Sequence, residues 1–207
     1  MKVLRFGCNV PVEHNLEQIE AWIAARCEAP CKLLFIGVDW DRKGGELALE
    51  AARILNSRGI PTVLQVVGCT APPESFVENY GFISKSTAEG RATLRALYAA
   101  ATCFIIPTRA EASAIVFCEA SAYGLPAFTT QTGGVGDYVE SGETGYCLPL
   151  AAPGMAYVDL IQSTLSDLEE YRRLSMNAYS RFRTLLNWES SVSTLVQMLS
   201  DAISNER

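Results

Sequence analysis

Along nearly the whole chain, short β-rich apolar runs alternate with segments whose apolar residues recur every three or four positions. LEQIEAWIAARCE (16–28) has the helical spacing and stops short of Pro30, whereas KLLFIGV (32–38) is a brief, continuous apolar run bounded by turn residues. Such a run is the mark of a strand covered on both faces. The pattern repeats in GELALEAARILNSRG (45–59), a helix ended by Gly59, and TVLQVVG (62–68), a strand. NYGFI (79–83) reads as a short extended piece. Ser86 and Glu89 then form an S-x-x-E capping box that predicts a helix through Ala100. CFIIPT (103–108), PAFTT (126–130) and GYCLPL (145–150) are three more strands, the first two separated by a helix over AIVFCEASAYG with Gly124 just past its end. GGVGDYVESG predicts a turn and short helix, and the chain beyond residue 150 reads as helical.

Helices and strands that alternate with short links call for an α/β fold: a single Rossmann-like, doubly wound parallel sheet with helices on both faces and right-handed crossovers. In such sheets a ligand lies beyond the carboxyl ends of the strands, where strand order reverses. That directs attention to four loops, VDWDRKGG, CTAPP, RAEAS and QTGGVGD.

Composition narrows the class. A chain of 207 residues with 49% hydrophobic and 19% charged residues is expected to form one soluble globular domain. No apolar run reaches the roughly eighteen residues of a membrane span. The formal net charge of -6 argues against a nucleic-acid partner, whose phosphates would demand a basic face. Seven scattered cysteines, an odd number, are expected to be free thiols in a reducing, cytoplasmic setting. Cys27 and Cys31 stand four apart without a second pair, so structural zinc is not expected, and His14, the one histidine, supports no Ser-His-Asp or Cys-His arrangement.

Three stretches carry chemistry. Arg42 and Lys43 precede Gly44 and Gly45 at a helix start, where cations beside unpaired amides would make a phosphate site; the bland alternative is a solvated basic turn. Glu111 closes the RAE loop, and Glu119 lies about two turns on, in a helix that otherwise looks buried. A carboxylate there costs several kcal/mol unless partnered, by sugar hydroxyls, a neighbouring lysine or backbone amides. Gly133, Gly134 and Gly136 do not have the dinucleotide spacing and follow a late strand, yet they could line an anion or hydroxyl site.

Together, FIGVDWDRKGGELALEAARIL, RAEASAIVFCEASAYGLPAF and TGGVGDYVESGETGYCLPL closely resemble the donor-binding, carboxyl-terminal half of group 1, family 4 retaining glycosyltransferases of GT-B fold, over residues 32 to about 200. The resemblance implies that Lys43, with Arg42, neutralises the donor diphosphate, that Glu119 grips the ribose hydroxyls and that Glu111 faces the donor sugar. It implies that the backbone of Ala114, Ile115 and Val116 meets sugar and phosphate, and that Gly68 with Gly81, Phe82 and Ile83 walls the base. The substrate would be a nucleotide-diphosphate sugar, with no cofactor and no metal required.

Departures from the family pattern are Val38 where arginine is common, Ala112, Ser113 and Ala114 in place of Gly-Phe-Gly, and Asp137 for a glutamate. They leave open a noncatalytic nucleotide-binding or interaction module, and, less favoured, an epimerase relative. The expected layout is a linker-like arm with a helix over 1–30, the nucleotide-sugar domain over 31–187 and a crossover helix over 188–207. A GT-B enzyme also has an amino-terminal acceptor domain, so the expectation is an isolated half that binds donor with little activity and meets a membrane only through the full-length enzyme. The apolar face Leu195, Val196, Leu199 and Ile203 is expected to cross to that missing domain, to drive homodimerisation, or simply to cap this domain's own core.

Overall fold

The computed structural model describes residues 3–113 and 115–205. Strands β1 (Cys31–Ile36), β2 (Thr62–Val67), β3 (Val77–Gly81), β4 (Cys103–Ile106), β5 (Ala127–Thr130) and β6 (Gly145–Leu148) form one sheet in the order β3-β2-β1-β4-β5-β6, every pairing parallel. The order reverses between β1 and β4, the doubly wound arrangement. Among the described residues the α-helices are α1 (Leu16–Glu28), α2 (Gly45–Ser57), α3 (Ala88–Ala100), α4 (Ile115–Ala122), α5 (Gly154–Ser166), α6 (Leu168–Thr184) and α7 (Trp188–Asn205).

The continuous apolar runs are strands for the reason anticipated: every residue of β4 and β5 is buried, as are Leu33, Leu34, Phe35 and Ile36 of β1. Each run stops as a strand before its apolar letters do. Gly68 leaves the strand with a φ of +93°, its Cα so near the Gly37 carbonyl that a Cβ would lie 2.7 Å from the oxygen. Pro107, which cannot donate to a ladder, follows β4. The extended piece expected at 79–83 is a true edge strand, β3, shifted two residues earlier and paired with β2. Its weak apolar pattern follows from exposure of Glu78, Asn79 and Tyr80.

Two local expectations need correction. Thr87, not Ser86, caps α3, accepting from the Gly90 amide at 3.1 Å, while Ser86 bonds Ser84. The apolar face of α7 does not cap the domain's core, because Leu195, Val196, Leu199 and Ile203 are all exposed. All seven cysteines are free thiols, and three of them are buried. Helix α1 buries Ile19, Ile23 and Arg26 against the rest of the domain, α2 packs on α5, and α4 packs on α6. Among the described residues no helix is long and apolar enough to cross a membrane.

Candidate functional site

At the reversal point the loops after β1 and β4 are stitched together by backbone. The Arg109 amide donates to the Arg42 carbonyl at 2.8 Å, and the Thr108 hydroxyl reaches the same carbonyl at 3.3 Å. Gly44, at a φ of +75°, passes so close to Pro107 that a Cβ would sit 2.0 Å from its carbonyl oxygen. Only glycine permits that approach, and through it residue 43 points at the β4 loop.

Lys43 therefore reaches Glu111: its Nζ donates to Glu111 Oε2 in a largely buried ion pair. Arg42 is more exposed and already engaged, its Nη1 donating to Ala110 O at 3.1 Å and its Nε to Asp39 Oδ2 at 3.3 Å. The phosphate site expected from unpaired amides differs in one respect. The amides of Lys43, Gly44 and Gly45 donate to the carbonyls of Asp39, Asp41 and Trp40, so any contact to phosphate here falls to the side chains. The glycines after β5 also serve another end. Gly133, at a φ of +50°, and Gly134 lie directly against the backbone of Glu111 and Ala112, and the Gly134 amide donates to Glu111 O at 3.2 Å. They seat the Glu111 loop, and the Gly134 donor is spent there.

Glu119 is 0% exposed within α4. Its partners are both side chains: Lys85, whose Nζ donates to Oε1, and Tyr98, whose hydroxyl donates to Oε2 at 2.8 Å. Burial, then the adjacent Glu119 carboxylate, pushes the Tyr98 hydroxyl well above its ordinary value, which keeps it a proton donor. The neighbouring lysine entertained from the sequence is one of the two protein partners of Glu119. Lys85 and Tyr98 themselves were not singled out. The demand for a partner to Glu119, with a cation in the loop just ahead of a capped helix, was the signal available.

A cleft of about 310 Å³ opens between these groups. Arg42, Lys43 and Lys85 line it, together with Gly68, Phe82, Ile83 and Val116. Val38 and Phe82 stand at its mouth, 70% and 78% exposed. Six of the predicted site residues thus share one cleft, and Glu111 and Glu119 join it through their lysines. Ile115 is half-buried and does not bound it, and Ala114 lies outside the described residues. Asp137 is elsewhere, paired with Arg5. Among the described residues no cluster of three histidine, cysteine or acidic side chains could hold a metal ion.

Residues 20–181 match the family model described as glycosyl transferases group 1. Over 184 residues the chain is 27% identical to D-inositol 3-phosphate glycosyltransferase of Corynebacterium glutamicum, covering 83% of this chain and 44% of that protein. It therefore spans less than half the length of that curated relative. By structure it is similar to sucrose-phosphate synthase of Thermosynechococcus elongatus, with a TM-score of 0.74 at 23% identity over 99% of this chain and 53% of that one. It is also similar to HepE of Anabaena, solved in complex with UDP and glucose, with a TM-score of 0.69 at 16% identity over 95% of this chain and 55% of that one.

Proposed function

Because the chain belongs to the group 1 glycosyl transferases, we propose that its cleft binds a nucleotide-diphosphate sugar, as the donor half of a retaining glycosyltransferase that acts in the cytoplasm on glycan precursors. The observation that carries the proposal is the convergence of Arg42, Lys43 and Lys85 on one cleft whose other lining residues are glycine or apolar. The cations suit a diphosphate, and Phe82, Ile83 and Gly68 suit a base. UDP in HepE makes UDP the first nucleotide to test.

In the proposed reaction the bond between the sugar's anomeric carbon and the diphosphate oxygen breaks, and its electron pair leaves with the nucleoside diphosphate. The acceptor oxygen bonds to that carbon on the same face and gives up its proton to the departing oxygen. Lys43 and Arg42, with the amino-terminal end of α4, stabilise the developing negative charge, so the proposal calls on no metal. Lys43 must exchange Glu111 for phosphate as it does so. Glu111, released, becomes the acceptor for donor-sugar hydroxyls. Acceptor positioning and exclusion of water fall to a second domain closing over the cleft.

One observation favours the alternative, a noncatalytic interaction module whose nucleotide site is lost: both oxygens of Glu119 are already bonded within the protein. Titration calorimetry with UDP and GDP, on the unmodified chain and on Glu119→Ala, separates the two. Micromolar to millimolar binding that Glu119→Ala weakens supports the donor site. Absence of binding of either nucleotide at millimolar concentration defeats it.

A further inference from the structure

Of the two groups that hold Glu119, Tyr98 is fully buried, whereas Lys85 bounds the cleft with its side chain 38% exposed. Glu119 does not itself line the cleft, and of its two partners Lys85 does while Tyr98 does not. The backbone beneath Lys85 is fixed. Arg91 Nη1 donates to the carbonyls of Lys85 and Ser86 at 3.1 and 2.9 Å, and Gly90, without a Cβ, lets the Ser84 carbonyl lie where a Cβ would be 2.0 Å away. The lysine stem is the free part, four carbons that can swing the ammonium into the cleft or out to water.

We infer that Lys85 is a side-chain gate over Glu119: its ammonium holds the place that ribose hydroxyls take, and so sets how strongly the cleft prefers a ribose to a sugar without hydroxyls. The inference rests on the proposed nucleotide site and adds a specificity residue to it. Departure of the ammonium strands a carboxylate that is fully enclosed, and a buried carboxylate left without its cation is strongly penalised. Only a ligand that brings its own donors can complete the exchange, and a 2′,3′-diol brings two O–H groups to the side of Glu119 that Lys85 holds. A nucleotide lacking those hydroxyls leaves Lys85 in place and loses little. The gate therefore makes the wild-type cleft tolerant, because the gain from the diol is offset by the ion pair it displaces.

Removing the gate reverses this. Without Lys85 a ribose satisfies Glu119, while a dideoxyribose seals it from water with Tyr98 as its remaining partner. The test is titration calorimetry of UDP and 2′,3′-dideoxy-UDP against wild type and Lys85→Met, with Lys85→Gln as a second variant should the first fold poorly in a thermal melt. The ratio of the two dissociation constants is expected to be within about threefold in wild type and to rise at least about tenfold in the variant. A purely structural lysine would weaken both ligands alike. A ratio that stays level or falls overturns the gate while UDP binding stands. Failure of wild type to bind UDP fells the nucleotide site and the gate with it.

Discussion

Arg26 and Glu119 are both charged, both enclosed by the domain, and held in opposite ways. Arg26, 3% exposed, sits where α3 and α4 end, at the amino-terminal side of the sheet, and donates to four backbone carbonyls. Its Nε reaches Ala99 O at 3.0 Å, Nη1 reaches Gly124 O at 3.2 Å, and Nη2 reaches Tyr98 O and Tyr123 O at 3.0 Å each. A cation at two helix carboxyl ends is favoured by both dipoles, and its planar fork meets carbonyls that the helices cannot satisfy themselves. Glu119 is held by side chains, one of them on a loop at the cleft. A charge held by backbone cannot be exchanged without unfolding something. A charge held by a swinging ammonium can, and the fold keeps such pairs at the carboxyl ends of its strands, where ligands bind.

The sharpest way to break the comparison is Arg26→Met. It strands four carbonyls at helix ends, and the loss is expected to be about 3–5 kcal/mol of unfolding free energy, read from urea denaturation. UDP affinity of the fraction still folded should be unchanged. A loss of nucleotide affinity at preserved stability would mean that the two ends of the sheet are not separable.

Next in size is Gly133→Ala, which acts on the seat of the Glu111 loop. Its φ of +50° disfavours any side chain, and a Cβ would lie 1.8 Å from Glu111 O. Strain of this kind costs roughly 1–3 kcal/mol, and since the loop must also retreat, a loss of about 2–3 kcal/mol is expected. Because the displaced loop carries Glu111, nucleotide-sugar affinity should fall further than affinity for the bare nucleotide. Equal losses for both would separate Glu111 from the sugar.

Lys43→Met leaves the largely buried Glu111 without its cation and so costs stability too, but the effect that bears on the site is on binding. Losing one charge-assisted contact to phosphate predicts a tenfold to thirtyfold weaker UDP complex, roughly 1.4–2 kcal/mol, and a shallower dependence of affinity on salt. An unchanged salt dependence would show that Lys43 stays on Glu111 in the complex.

How much of this contrast could be foreseen depends on whether a feature is written locally. The continuous runs CKLLFI, TVLQVV and CFII announce buried parallel strands because burial on both faces leaves no polar alternation. Lys43 and Glu111 could be placed at one site because each lies in the loop that follows a strand. Edge strand β3 was faint, since exposed Glu78, Asn79 and Tyr80 remove the apolar signal. Arg26 looked like any polar residue on α1, and nothing local tells that four carbonyls from residues 98 to 124 converge on it. Lys85 was missed for the same reason: its partner is 34 residues away. The amide donors expected at Gly44 and Gly45 failed because the tight turn at 39–41 supplies its own acceptors.

The smallest effect concerns a third charge-bearing group that lies between the two cases. His14, on the segment leading into α1, holds the Ala122 carbonyl through Nε2 at 2.6 Å and stands against Trp22 and Tyr123, with ring centroids 4.9 and 4.5 Å away. Like Arg26 it binds backbone at the end of α4, but it can lose its charge. Burial lowers its pKa below the ordinary 6.5, the Ala122 carbonyl opposes that, and Arg95 and Arg26 reinforce it. The folded state therefore binds a proton less readily than the unfolded one. Stability from this group is complete above the unfolded value and is lost as pH falls through the lower folded one. Urea midpoints measured downward from pH 7.5 should decline from about 6.5, where an unfolded histidine begins to protonate. In His14→Phe, which keeps an aromatic ring against Trp22 and Tyr123, that segment of the profile should flatten although the bond to Ala122 is gone. A variant that keeps the full decline would assign it to the carboxylates instead, and would leave His14 as a clamp of the Arg26 kind, indifferent to pH.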